Sequence, residues 1–293
     1  MKIYISNITK NNNLGGGWTF LRNFKKGFGA KVEFVDKWQD CDIIFVFGIT
    51  TIDKGEIHEA VKAGKKLVLR IDNIPRRNRN TRMQPIERLK EFGNIASLVV
   101  YQSKWCKEYA GYFIDNTKDV IINNGVDKTI FNTDNRKTDS KTYLYINYND
   151  NPNKRFDEAI YRFDMLWRED KESHLVIAGN TPKVYSEHPE YNFDSVSNSE
   201  IEYLGVMNSE YEVADLMKTC DYILYPSFAE AYSNTLLEAI ACGLTPRYPN
   251  PTGGSDELIE KNYNYFNRDI KVNVKSIQEM CDEYYNEFNK LIK

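Results

Sequence analysis

At about 150 residues per domain, the 293 residues suffice for two hydrophobic cores without disulfide or metal staples. With 41% hydrophobic, 28% charged and 13% aromatic residues and a formal charge of -3, the composition is that of an ordinary folded protein without the broad positive field of non-specific nucleic-acid binding. Five cysteines (Cys41, Cys106, Cys220, Cys242, Cys281), scattered and never in a CxxC pair, suggest neither a disulfide framework nor a zinc site.

Met1 runs directly into the strand-like KIYIS (2–6) with no basic and apolar leader, and no apolar run approaches the roughly 18 residues a bilayer span needs. A cytoplasmic protein is the expectation. Further β-branched and aromatic runs follow at 32–36, 42–47, 66–72, 98–103 and 120–125, with helical patterns at 18–28, 57–63 and 104–113 between members of the set. Residues 131–141 (FNTDNRKTDSK) are polar, charged and aperiodic, as in an interdomain linker. The alternation then restarts, with strands expected at 142–147, 174–179, 201–205, 222–226 and near 244–248. Ser209 with Glu212, and Ser276 with Glu279, have capping-box spacing at the starts of two helices. The last helix carries Ile277, Met280, Cys281, Tyr284, Phe288 and Leu291 on one face, which must pack on something.

Strands alternating with helices predict an α/β protein of two doubly wound, Rossmann-like parallel-sheet domains. The expected divisions are 1–135, 136–275 and a final helix at 276–293. Ligands of such sheets bind beyond the carboxyl ends of the strands and often between domains, so candidate residues are sought there.

Gly15, Gly16 and Gly17 follow the first strand and a polar loop and open a helical pattern. They suit either close phosphate approach or a flexible turn. In YILYPSFAEAYSNTLLE (222–238), a strand leads through a loop to a helix that Ser233 or Asn234 can cap, aiming amide donors outward. Glu230 in that loop and Glu238 two turns on are too far apart for a paired acid and base, and each can meet a different end of one ligand. By spacing alone Glu238 is equally a surface carboxylate. Lys154 and Arg155, beyond the strand opening the second half, can match the charge of a leaving phosphate or simply begin a solvated helix. Arg70, Arg76, Arg77, Arg79 and Arg82 crowd into RIDNIPRRNRNTR (70–82), with Asp72 at the strand end. They can grip an anionic acceptor or form a solvated loop. His58, His174 and His188 show no metal spacing, and no G-x-S-x-G, H-E-x-x-H or Walker lysine motif is present.

PSFAEAYSNTLLEAIACG (226–243) resembles the family 4 retaining glycosyltransferases of GT-B fold, whose pattern has two glutamates separated by seven residues. NNGVDKTIF, HLVIAGN, IEYLG and TGGSDELI reinforce the resemblance in the family's order. It implies two domains facing across a cleft, with the last helix able to return to the first. It also implies sugar transfer from a nucleotide-diphosphate sugar to an acceptor hydroxyl with retained configuration, and no required metal or other cofactor.

Residue by residue, the resemblance makes Glu230 the contact to donor-sugar hydroxyls and Glu238 the holder of the ribose. Tyr232, Ser233, Asn234 and Thr235 form the helix start reaching the diphosphate, Gly16 and Gly17 the glycine loop, and Lys154 the cation at the leaving phosphate. Tyr148 replaces the arginine usual six residues before that lysine, so that charge stabilisation is weaker or Arg155 or a first-domain arginine compensates. Asp72 stands near the acceptor, and Arg76, Arg77 and Arg79 are candidate acceptor contacts. The acceptor class is open among glycan, lipid-linked sugar, protein and modified nucleic-acid base. The alternatives are a catalytically weak sugar-nucleotide or glycan-binding module, or a GT-B epimerase or phosphorylase.

Overall fold

The computed structural model describes residues 1–6, 15–49, 53–72, 84–137, 140–147, 151–180, 200–247, 253–259 and 274–293. They divide into two compact units, one of Met1–Gly125, Glu230–Tyr232 and Lys275–Lys293, the other of Val126–Ala229 and Ser233–Val274.

The first unit is built on β1 (Lys2–Ile5), β2 (Glu33–Val35), β3 (Ile43–Val46), β4 (Lys66–Arg70), β5 (Leu98–Tyr101) and β6 (Asp119–Ile121). They form one parallel sheet in the order β2-β1-β3-β4-β5-β6. Ile3 stands opposite both Phe34 and Ile43, and Arg70 opposite Val100. The central strands IIFV and LVVY are buried throughout, which only a sheet covered on both faces produces. Strand alternation sorts the two faces. Ile44, Val46, Leu67 and Leu69 pack with Ile57 of α2 (Lys54–Lys62), Leu89 and Phe92 of α3 (Gln84–Ile95) and Cys106 of α4 (Lys104–Gly111).

On the opposite face Ile43, Phe45 and Val68 pack with Phe20, Phe24 and Phe28 of α1 (Gly16–Phe28). The apolar face of the C-terminal helix, Ile277–Ile292, completes this layer. Its Tyr284 meets Phe24 edge-on at 5.2 Å between centroids, while Phe24 stacks on Phe45 at 4.4 Å. Gly27 permits the close approach, since a Cβ there would lie 2.7 Å from the Ile277 carbonyl oxygen. The helix begins with a complete capping box: Ser276 Oγ accepts from Glu279 N–H, and Glu279 accepts from Ser276 N–H.

The second unit holds β7 (Thr142–Asn147), β8 (His174–Gly179), β9 (Ile201–Gly205), β10 (Tyr222–Leu224) and β11 (Thr245–Arg247), parallel in the order β11-β10-β7-β8-β9. Between them run α5 (Phe156–Glu169), α6 (Glu210–Lys218) and α7 (Asn234–Ala241), and the single turn α8 (Asp256–Ile259) follows β11, so the C-terminal helix is α9. Tyr143, Tyr145, Leu175, Ile177 and Leu224 pack against Phe156, Ala159, Ile160 and Phe163 of α5. Ser209 caps α6 by accepting from Glu212 N–H, but Glu212 reaches back to Asn208 N–H, one residue beyond the position that a standard box uses.

Residues 126–137 belong to this second unit. Ile130 and Phe131 are buried because their apolar side chains pack, Lys137 N–H donates to the Lys218 carbonyl, and Arg136 pairs with Asp221 at 3.7 Å. Over residues 131–137 the polar composition that suggested a linker marks a packed surface segment.

Candidate functional site

In each unit the strand order reverses once, and at such a reversal the loops leaving two neighbouring strands diverge to opposite faces and open a crevice at the carboxyl edge. In the second unit the reversal falls between β7 and β10. The loop after β7 reaches Asn151, whose side chain accepts from Asn153 N–H at 3.1 Å and caps the short turn Pro152–Lys154. Tyr145 Oη donates to the Lys154 carbonyl at 3.3 Å, and burial pushes that hydroxyl upward so that it remains a donor. Gly179 holds the end of β7 in place: a Cβ on it would stand 1.7 Å from Asn147 O.

The loop after β10 meets the first loop directly, as Phe228 N–H donates to Asn153 O at 2.7 Å. Ala229 then takes a left-handed conformation (φ 52°), unusual for a residue with a Cβ and costing about 1–2 kcal/mol. Ser233 caps α7 by accepting from Leu236 N–H at 3.4 Å, and its own N–H donates to Ser255 Oγ at 3.0 Å. Ser233, Asn234 and Thr235 thus form a fixed helix tip whose first-turn amides face outward along the axis. Glu238 is half-buried one turn further along the same helix. Lys154 is likewise half-buried, and Arg155, in a left-handed conformation at the start of α5, ion-pairs with Glu158 at 3.3 Å.

The first unit reverses between β1 and β3. Gly15 has φ 108°, accessible to glycine, and with Gly16 and Gly17 forms the start of α1. Asp72, just past β4, lies so close to Gly48 that a Cβ there would be 2.6 Å from Asp72 Oδ2. The segment Glu230–Tyr232 also belongs to this unit, with Ala231 buried in the core between the sheet and α2–α4.

Arg70 departs from the solvent-facing arginine cluster expected of it. It is 2% exposed, donates to Phe47 O at 3.1 Å and Asn124 Oδ1 at 3.0 Å, and lies 3.7 Å above the Phe20 ring. Burial pulls its guanidinium below the usual arginine value, and its role is that of an internal strut. Tyr148, Arg76, Arg77 and Arg79, together with Arg82 and His188, lie outside the described residues. Gly16, Gly17, Asp72, Glu230 and Tyr232 fall in the first unit, and Lys154, Arg155, Ser233, Asn234, Thr235 and Glu238 in the second.

Motif reading passed over Gln102, Ser103, Asn124, Asn153 and Ser255. Asn124 and Ser255 lay within NNGVD and TGGSD, and Ser103 had the signature of a helix cap before KWCKEYAG. Among the described residues no group of three His, Cys, Asp or Glu side chains is placed to hold a metal ion, and no helix is long and apolar enough to cross a membrane.

Residues 126–290, more than half of the chain, match the family described as glycosyl transferases group 1. No curated protein sequence matches the chain. Among solved structures, the chain is similar to Anabaena HepE in complex with UDP-glucose, at 15% identity and TM-score 0.70 over 100% of this chain and 92% of that one. It is also similar to the sucrose-phosphate synthase of Thermosynechococcus elongatus, at 11% identity and TM-score 0.66 over 100% and 95%. A third is the apo form of the lipopolysaccharide outer core galactosyltransferase WaaB, at 17% identity and TM-score 0.64 over 100% and 99%. At these identities the likeness is one of fold, the two parallel-sheet units of the GT-B type.

Proposed function

We propose that this chain, which belongs to the group 1 glycosyl transferases, moves a sugar from a nucleotide-diphosphate sugar to an acceptor hydroxyl with retention of anomeric configuration, in the manner of family 4. The observation that carries the reading is the reversal point of the second sheet. There the Asn153–Phe228 hydrogen bond joins the turn bearing Lys154 to the loop that ends in the Ser233-capped tip of α7.

A diphosphate leaving the anomeric carbon gathers negative charge on its terminal phosphate. Preorganised N–H donors and a cation lower that barrier, each worth about 2.7–4 kcal/mol by analogy with oxyanion-hole deletions. In this reading Lys154 supplies the cation and the first turn of α7 the donors, so that the protein itself balances the charge and no divalent metal is required. Glu230 holds donor-sugar hydroxyls, Glu238 the ribose, Gly16 and Gly17 admit the diphosphate, and Asp72 with Arg76, Arg77 and Arg79 serves the acceptor. The protein acts in the cytoplasm. The UDP and UDP-glucose held by the Anabaena relative make UDP-sugars the first donors to try.

Thermal unfolding in the presence of UDP-, GDP- and ADP-sugars tests the donor class, because a ligand at 100 times its Kd stabilises the fold by about 2.7 kcal/mol. NMR of the product anomer tests retention. Absence of binding and turnover across the panel would sink the proposal. Tyr148 in place of the family's arginine favours a second reading, a donor-binding module with weak catalysis. Tight donor binding without transfer or hydrolysis would select it.

A further inference from the structure

A cluster of buried polar side chains stands at the carboxyl edge of the first sheet. Ser103 is fully buried, and Arg70, Gln102 and Asn124 are at most 3% exposed. Arg70 donates to Asn124 Oδ1 at 3.0 Å. A guanidinium only donates, so this contact fixes which end of the Asn124 amide faces it. The Asn124 nitrogen is thereby turned the other way, donating to Gln102 Oε1 at 2.8 Å and to the Tyr232 carbonyl at 3.1 Å. Gln102 is fixed in turn, because its nitrogen donates to Ile71 O at 2.7 Å. Ser103 Oγ accepts from Cys106 N–H at 3.0 Å as the cap of α4, and its single proton goes to Ala231 O at 2.7 Å. Capping requires only the acceptor. The proton on Ala231 O is a separate use of the same hydroxyl.

Two carbonyls of the three-residue segment Glu230–Tyr232 are therefore gripped by donors whose own orientations are set by further buried partners. In a dry interior such bonds are strong, and a loop held by them pays little ordering cost when a ligand arrives. The segment begins with Glu230, and the preceding Ala229 sits in a strained left-handed conformation that an untethered loop would relax.

We propose that Ser103 and Asn124 are positioning residues for sugar transfer: they act through the Ala231 and Tyr232 carbonyls to preset Glu230 for the sugar of the donor. The proposal rests on the donor reading above, and it makes a prediction that the reading alone does not. Ser233 N–H shares a peptide plane with the gripped Tyr232 carbonyl, but it has a further anchor in Ser255 Oγ, and the Ser233 side chain caps α7, so the helix tip keeps two holds of its own when the clamp is removed.

The probes are UDP, which lacks the sugar, and UDP-glucose, with binding by calorimetry and turnover by UDP release. Asn124→Asp is nearly isosteric, keeps an acceptor toward Arg70 and loses both donors. Ser103→Gly keeps an acceptable helix cap and loses the hydroxyl proton. For each we expect kcat/KM on UDP-glucose to fall about 10- to 100-fold, the cost of a displacement of about 1 Å, with UDP affinity within threefold of wild type. Ser103→Thr, which retains both uses of the hydroxyl, restores turnover. Equal loss of UDP and UDP-glucose affinity, or variants within twofold of wild type on UDP-glucose, would overturn the proposal. If Asn124→Asp fails to fold, the Ser103→Gly and Ser103→Thr pair decides alone. A wild-type protein that binds neither probe nor any other sugar nucleotide removes the donor reading itself and the clamp's role with it, an outcome distinct from active wild type with indifferent variants.

Discussion

The same chemical change, Gly→Ala, should move stability in opposite directions at two helical positions. In an open helical site the added methyl reduces the freedom of the unfolded chain and stabilises by about 0.5–1 kcal/mol. Gly55 in α2 is such a site, exposed and with nothing nearer to an added Cβ than Asp53 Oδ1 at 3.5 Å. Gly27 in α1 receives the same benefit, but its Cβ would stand 2.6 Å from Cys281 Sγ and 2.7 Å from Ile277 O. The sulfur can turn aside. The carbonyl is backbone at the first residue of α9, and reaching the roughly 3.5 Å of ordinary contact moves that helix start by most of an ångström. Overpacking of this kind costs about 1–3 kcal/mol, which outweighs the propensity gain. Thermal unfolding by circular dichroism should show Gly55→Ala melting about 1–4 °C above wild type and Gly27→Ala up to about 10 °C below it, using about 2–4 °C per kcal/mol. If both variants melt higher, α9 does not rest on α1 as closely as described, and the account of the first unit's core fails.

Lys154→Ala should lower kcat by about 10²–10³ with a smaller change in donor KM, the pattern of a charge felt mainly as the phosphate departs. Steady-state kinetics on the best donor checks this, and an unchanged kcat would remove Lys154 from the chemistry. Gly179→Ala combines φ 106° with a methyl 1.7 Å from Asn147 O. It should displace the end of β7 and abolish donor binding by calorimetry, or prevent folding seen as lost near-ultraviolet ellipticity, and a folded variant with wild-type affinity would contradict the close strand approach. Burial pushes the Cys242 and Cys281 thiols up to about 12 from an ordinary value of 9.0. Above pH 9 the unfolded chain releases protons that the folded chain keeps, so stability is present below that pH and declines as pH rises toward about 12. Denaturant midpoints should fall across that window, and Cys242→Ala should make the fall shallower.

The parallel sheets were legible because burial on both faces forces apolar runs, as in IIFV, LVL and LVVY. Helix starts were legible where the cap is a local, three-residue affair, as at Ser209, Ser233 and Ser276. The affiliation of residues 126–137 was not, because polar composition reports what a segment shows to water and is silent about Ile130 and Phe131 packing underneath. Arg70 misled for a related reason. Its neighbours in RIDNIPRR suggest a basic cluster, yet it ends β4 in a sheet covered on both faces, where either side of the strand is interior.

For the candidate site, the motif supplies residue types at fixed spacing, and the fold supplies what holds them. Lys154, Glu230 and Glu238 could be named from PSFAEAYSNTLLE and YINYNDNPNK because their chemistry is their own. Ser103 could not, since a serine before a helix is ordinary until Ala231 arrives beside it from 128 residues away. Contacts of that sequence separation leave no periodicity and no spacing. They also explain a feature of the motif that chemistry alone leaves unexplained: the residues between Glu230 and Ser233 are small or carbonyl-bound, with Ala231 buried in the core, because their task is to be gripped. A bulky residue at 231 would force the grip open even with both glutamates retained. Residues 231 and 232 therefore serve the first unit's core, whatever the glutamates on either side of them do.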